Sequence, residues 1–243
     1  MKTRKVFMPI VLVFAALFHT ACFSDWNAVS GKGSIISETR HAQSFTAIEL
    51  QTAADVEIVK GNAYHVTVSD YENLLQYITL EVVDNRLVIK KDPLTINLWN
   101  SKARVTVTMP DSLYAVTLAG SGQMNIDPTF SKLESLRING SGNINIEDYC
   151  VLDKLEAQIT GSGNIRAKGT VNNLNAKITG SGNMMLAGLE AYDAKCTLSG
   201  SGNIHVAVEN ELVVYLSGSG DVFYYGNPTV NSYATGSGKV YKR

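Results

Sequence analysis

Gly-Ser-Gly occurs seven times in this chain, beginning at Gly120, Gly140, Gly161, Gly180, Gly200, Gly218 and Gly236, with spacings of 20, 21, 19, 20, 18 and 18 residues. A period that regular marks a repeat architecture in which each unit packs on its neighbours along one axis. Fourteen of the 20 glycines lie in these motifs, so glycine serves here mainly as punctuation at one point of the repeat. Gly accepts φ > 0 and allows close approach of another backbone, which a sharp corner between stacked coils requires. The small Ser fits between stacked turns.

Alignment of the copies on their first Gly locates the core. Four residues later stand Met124, Ile144, Ile165, Met184, Ile204, Val222 and Val240; two residues earlier stand Leu118, Ile138, Ile159, Ile178, Leu198, Leu216 and Ala234. Positions six after (Ile126, Ile146, Ala167, Leu186, Val206, Tyr224) and four before (Val116, Leu136, Ala157, Ala176, Cys196, Val214) complete the alternation. Apolar residues at every second position on both sides of the motif predict two half-buried strands per repeat. The fold class that follows is all-β: a parallel solenoid of roughly twenty-residue coils turning at Gly-Ser-Gly, regular over residues 110–243. Third after the first Gly come Gln123, Asn143, Asn164, Asn183, Asn203, Asp221 and Lys239. Consecutive Asn residues predict a ladder of side-chain amides bonded along the stack, which suits a structural turn better than a metal site.

The N-terminal part carries fainter echoes. Thr52-Ala53-Ala54 followed by Asp55-Val56-Glu57-Ile58 mimics the corner and its strand, with Ile48 and Leu50 as the preceding inward residues, and Gly31-Lys32-Gly33-Ser34-Ile35 reads as another echo. Alternating runs at 64–69, 78–83, 86–90 and 104–109 predict further strands, Asp84-Asn85 a hairpin turn, and Tyr71 to Gln76 a short helical turn. Residues 45–110 are therefore read as an irregular β-rich cap on a single domain spanning 45–243, because a solenoid end exposes core and unpaired strand edges. Residues 23–44 are expected to form a tether.

Residues 1–22 read as an export signal. Lys2, Arg4 and Lys5 precede a thirteen-residue apolar stretch, Val6 to Phe18, too short to span a bilayer comfortably. Ala21-Cys22 resembles the end of a bacterial lipobox, although His19 stands where such boxes usually carry Leu. Cys22 is thus the expected lipidation site, and the acyl chains would be the chain's sole attachment to membrane. The formal net charge is −1; without the three basic residues of the signal, 18 basic residues face 22 acidic ones. A mildly acidic chain gives no electrostatic reason to expect nucleic acid as a partner. Cys150 and Cys196 fall about two coils apart at different points of the coil, beyond disulfide reach, and read as small buried residues.

The repeated Gly-Ser-Gly-Asn-Ile at 140–144, 161–165 and 200–204 resembles the auto-transporter adhesins with a head GIN domain found in Bacteroidetes. So do Ser37-Glu38-Thr39-Arg40, Phe45 through Leu50, and Asp55 through Ile58. The resemblance covers residues 30–240. It implies a β-helix-like fold, right-handed as in the family, on an envelope-exported protein, and it brings no catalytic residues.

The sequence carries no nucleophile elbow, zinc-protease helix or phosphate-binding loop, and every Gly-Ser-Gly is followed by a strand, where a phosphate loop needs a helix. His41, His65 and His205 are scattered, so no metal and no cofactor is expected. Polysaccharide-active enzymes use β-helices, but they need carboxylates clustered across adjacent coils. Asp127 and Glu147 are the nearest approach to such a pair, and Lys168 and Ala187 follow them in their column. The expected function is a non-enzymatic surface protein, an adhesin or binding module, at the outer membrane, cell surface or periplasm. A structural or self-associating envelope protein is the alternative, and a polysaccharide-active enzyme a distant third.

A contact patch is expected near the C-terminal end. The outward column five after the first Gly ends in Met185, His205, Phe223 and Tyr241, and the column three before it ends in Tyr215 and Tyr233. Both flank the same corner, so the sequence reading joins them into one aromatic patch. Its candidate partners are a surface glycan, a protein, or a second copy through the C-terminal coils.

Overall fold

The structure, a computed structural model, describes residues 27–243. The export signal and Cys22 lie outside the described residues. In chain order the strands are β1 (Ala28–Ser30), β2 (Ile35–Arg40), β3 (Ala47–Leu50), β4 (Asp55–Lys60) and β5 (His65–Tyr71). After a 3-10 turn at Leu75–Tyr77 come β6 (Ile78–Val83), β7 (Arg86–Lys91), β8 (Asn97–Trp99) and β9 (Arg104–Met109). The repeats supply β10 (Ala115–Leu118), β11 (Gln123–Ile126), β12 (Ser135–Ile138), β13 (Asn143–Gly161), β14 (Asn164–Gly180), β15 (Asn183–Gly200) and β16 (Asn203–Gly218). Last are β17 (Val222–Tyr225), β18 (Thr229–Gly236) and β19 (Val240–Lys242).

The long strands β13 to β16 each wind once around the core, in parallel and in the register the motif implies: Ile144 beside Ile165 beside Met184 beside Ile204. One ladder runs through the residues after each corner and a second through the residues before the next corner. A third side lies between them, where Cys150 pairs with Gly169 and Gly169 with Leu189. Inward columns are sealed: Ile138, Ile159, Ile178, Leu198, Ile144, Ile165, Met184 and Ile204 are all fully buried. The corners show why Gly is needed. Gly200 has φ +141°, and a Cβ on it would sit 2.0 Å from the Gly180 carbonyl oxygen of the coil below. A Cβ on Gly202 would sit 1.8 Å from the Gly182 oxygen. The two coils approach that closely because Ser201 N–H donates to Gly180 O at 3.0 Å, a bond repeated at the corners from Gly161 onward.

The Thr52–Ala54 echo is a genuine corner. β3 and β4 lie directly beneath β10 and β11, with Ile48 beside Val116 and Val56 beside Met124. The coil beneath that one is built from residues later in the chain, since β7 pairs with β3 and β9 with β4, both parallel. Residues 45–110 therefore contain two solenoid coils as well as the cap. The cap proper is antiparallel: β6 lies along β7 through the Asp84-Asn85 turn, β5 along β9, and β2 along β5. Asp84 and Asn85 have φ 50° and 60°, the two positive values of a tight type I′ hairpin turn. The expected helical turn falls at Leu75–Tyr77.

Two expectations are corrected. Part of the segment read as a tether is built into the fold, because β1 pairs with β8 and β2 forms an edge of the cap. Arg40, at the end of β2, donates to the carbonyls of Leu75 and Ile78, fastening that edge to the domain. The Gly31–Ile35 segment is not a coil corner, since it leads into an antiparallel strand. At the other end the inward pattern stops early: Ala234 is exposed and Val240 and Tyr224 are half-buried, because among the described residues no further coil lies on β18 and β19.

Candidate functional site

Outward side chains on the two faces beside the corner repeat at the strand spacing, so like residues stack. The inner edge of this surface is the amide ladder. Asn164 Nδ2 donates to Asn143 Oδ1 at 2.8 Å, and Asn183 Nδ2 to Asn164 Oδ1 at 3.2 Å. Farther along, Asn203 N–H donates to Asn183 Oδ1 at 3.1 Å and Asp221 N–H to Asn203 Oδ1 at 3.1 Å. These amides are spent on one another and on the backbone, which makes the column structural.

The sequence-predicted contact residues form two aromatic ladders. On the face after the corner, His205 stacks on Phe223 with centroids 4.6 Å apart, and Phe223 on Tyr241 at 5.4 Å, all nearly parallel. Met185 sits one coil below His205 in register and accepts a contact from Arg166 Nη2 at 3.2 Å. On the face before the corner, Tyr215 stacks on Tyr233 at 5.2 Å. Ring pairing stays within each ladder and none crosses the corner among the described residues, so the structure gives two stripes on adjoining faces in place of one fused patch. Tyr233 is 59% exposed, the most open of the set.

Two cations complete the ladders and were not picked out from the sequence. The Arg243 guanidinium lies over the Phe223 ring at 4.9 Å and the Lys195 ammonium over Tyr215 at 5.3 Å. Lys195 could have been found from register, since it pairs with Val213, two residues before Tyr215. Such contacts hold a ring in place and add positive charge to its face. Burial, and then the charge of Arg243, hold the His205 imidazole below its ordinary value of 6.5, so it stacks as a neutral ring at neutral pH.

Next to the Tyr215 stripe, a shallow groove of about 490 Å³ crosses several coils, lined among others by Glu134, Lys154, Glu156, Asp193, Lys195 and Glu211. Its charges are partly paired across coils, Lys154 with Glu134 at 3.0 Å and Arg137 with Glu156 at 3.2 Å. Cys150 and Cys196 are free and buried on different sides of the coil, and burial pushes the Cys196 thiol up to about 12. Asp127 and Glu147 line one shallow groove together with Glu57 and Asp148. Asp127 accepts from Thr129 N–H at 2.9 Å and Thr129 Oγ1 at 2.6 Å, closing its own turn. Among the described residues no three His, Cys, Asp or Glu side chains group closely enough to hold a metal ion. What this surface can do chemically is bind: it offers flat ring faces at regular spacing, flanked by amides and cations.

A family profile described as "Putative auto-transporter adhesin, head GIN domain" matches residues 44–228. Solved structures share the fold. A putative adhesin from Bacteroides fragilis superimposes with a TM-score of 0.80 at 22% identity, covering 88% of this chain and 100% of that one. A putative adhesin from Parabacteroides distasonis gives 0.72 at 20% identity, covering 89% and 100%. A structure from Parabacteroides distasonis described as a putative lipid binding protein gives 0.68 at 22% identity, covering 89% and 99%. No curated protein matches the chain.

Proposed function

The chain belongs to the head GIN domain family of adhesin-like proteins, and from that premise we propose that it is a non-enzymatic surface binding module whose C-terminal coils make the contact. The observation that carries this reading is the pair of aromatic stripes, His205–Phe223–Tyr241 and Tyr215–Tyr233, held outward on faces that are otherwise polar. Outward rings are costly to leave in water, and contiguous apolar surface of this kind marks contact sites. Aromatic side chains also dominate binding energy where a partner covers them. A surface glycan or protein fits the stripes.

Self-association is the second reading, and a different observation favours it. β18 and β19 each have one unpaired edge, and Ala234 and Ser232 at the end of the stack are exposed. Unprotected strand edges pair readily with another chain. Two double variants, Phe223→Ser with Tyr241→Ser and Tyr215→Ser with Tyr233→Ser, separate the readings when sedimentation is measured beside capture of host and bacterial surface material. Lost capture with unchanged mass supports partner binding. A fall in mass supports self-association. If neither changes, the stripes have no role in either.

The same reading places the domain outside the cytoplasm, anchored through acyl chains on Cys22. Mass spectrometry of the mature protein is expected to find a modified Cys22 at the N-terminus. An unmodified N-terminus beyond position 22 would remove the anchor from the proposal.

A further inference from the structure

The corner at Thr52–Ala54 differs from the seven others in what lies beneath it. Between β7 and β9 the chain leaves the stack and detours through residues 92–103, opening a groove of about 930 Å³ at the place where the coil below would sit. In the five corners from Gly161 onward the Ser amide donates to the first Gly carbonyl one coil below, as Ser162 does to Gly140 at 3.0 Å. Here Gln51 N–H reaches Ile89 O at 2.9 Å and Asp55 N–H reaches Ala103 O at 3.0 Å, but Ala53 N–H, between them, has no backbone acceptor among the described residues. The groove is lined by this corner and by Trp99, Asn100, Ser101, Lys102 and Arg104.

The far wall is firmly built. β8, which carries Trp99, is paired along its length with β1, and Gly31 N–H donates to Trp99 O at 2.9 Å. Just beyond it, Asn100 has φ +56°, an unusual conformation for a residue with a side chain. The fully buried Asp70 carboxylate holds the turn from behind, accepting from Ser101 Oγ at 2.6 Å and Lys102 N–H at 2.8 Å. A buried carboxylate is costly unless its hydrogen bonds are made, and this one makes them with the loop. On that fixed loop Trp99 is 59% exposed.

We propose that this groove is a saccharide-binding site selective for sugars that carry an acidic group. A rigid, exposed indole offers a flat apolar face for the C–H face of a sugar ring, with its N–H free to bond. Gln51, Asn97 and Asn100 line the same groove with the amide groups that sugar hydroxyls need. Lys91, Lys102 and Arg104 outweigh the single carboxylate of the lining, Asp55, and set the charge preference, and the open Ala53 N–H adds a backbone donor on the opposite wall. The site stands at the opposite end of the stack from the aromatic stripes and does not depend on them.

Calorimetric titration of the full chain with an oligouronate, a neutral oligosaccharide of equal length and inorganic sulfate tests it. The oligouronate is expected to bind at least about tenfold more tightly than the neutral sugar, with the margin shrinking as salt rises. Trp99→Ala should weaken both saccharides by about tenfold or more. Lys102→Gln with Arg104→Gln, both on exposed residues, should remove the acidic preference and leave neutral binding. Tyr149→Ser, on an exposed residue that belongs to neither the groove nor the stripes, should change none of these values. Equal affinity for acidic and neutral sugars, affinity unchanged in Trp99→Ala, sulfate binding as well as the oligouronate, or no saccharide binding at millimolar concentration would each overturn the proposal.

Discussion

The corners from Gly120 onward and the single corner at Thr52–Ala54 turn the same two ladders through the same angle of the same coil, yet only the former need glycine. At Gly140 through Gly236 a complete coil runs directly beneath, and an added Cβ on the first glycine would meet its carbonyl oxygen at 2.0–2.5 Å. Under Thr52 the chain detours, and Thr52 and Ala54 keep their side chains. The glycine requirement therefore comes from the neighbour at every corner, with the positive φ of the first glycine adding to it from Gly161 onward. A motif that looks like turn chemistry alone is also a record of coil-to-coil approach.

The largest expected effect breaks this contrast at its strongest point. Gly200→Ala should cost at least about 3 kcal/mol, because the new Cβ meets backbone and φ +141° is strained for any side chain. Thr52→Gly and Ala54→Gly should each cost about 1 kcal/mol or less. Chemical denaturation of the three variants measures this directly, and equal losses would show that the turn geometry, not the coil below, selects glycine.

Next in size is the contrast between the sealed middle and the open end. Leu198→Ala, fully buried, should cost about 2–5 kcal/mol, whereas Ala234→Ser, at the equivalent position in the last coil, should stay within about 0.5 kcal/mol. If Ala234→Ser proved as damaging as a core change, the end of the stack would be covered in solution. Smaller again is the amide ladder. Asn183 both donates to Asn164 and accepts from Asn203 N–H, so Asn183→Ala should cost about 1–2 kcal/mol by thermal unfolding.

The smallest effect is in pH. The folded-state pKa of His205 lies below its unfolded value, so its neutral form contributes stability that is complete above about 6.5 and is lost as pH falls through the folded pKa. Asp111 and Asp127 act in the same direction at more acidic pH. Burial raises them, but hydrogen bonds from Ser131 to Asp111 and from Thr129 to Asp127, with Lys60 contributing to both, outweigh it and hold both carboxyls below their ordinary value of 3.8. Acidification from pH 7 to 5 should therefore loosen the His205–Phe223–Tyr241 stripe before the loop at 127–131. His205→Phe should abolish the first step, and NMR line positions of the ring protons would show whether it does.

Much of this was legible in the chain. The seven motifs set the coil length, the alternation around them named the core residues from Leu118 to Val222, and the amide ladder followed from one column. Thr52–Ala54 was recognisable as a corner without glycine because Ile48, Leu50, Val56 and Ile58 keep the inward pattern around it. Two things were not legible. The stripes read as one patch from sequence because column arithmetic gives register along the stack but not the angle between adjoining faces. Ile35 to Arg40 reads as part of a tether because it lies between the expected lipidation site and the first solenoid strands, and its place in the fold rests on backbone pairing with β5 and on Arg40.

What the sequence determined by itself is the repeating unit: side-chain alternation states which face of a strand is buried, and glycine states where another backbone comes close. What only the tertiary structure decided is the order of the coils at the N-terminal end. There β7 and β9 slide beneath β3 and β4, although they come later in the chain, and β2, β5 and β6 turn antiparallel to close the stack. Backbone hydrogen bonds between strands are almost indifferent to side-chain identity, so an alternating strand reads the same whichever edge it pairs with. The choice is made by which arrangement pairs both edges of β3 and β4 and still leaves a closed end, and that is a property of the whole packed domain.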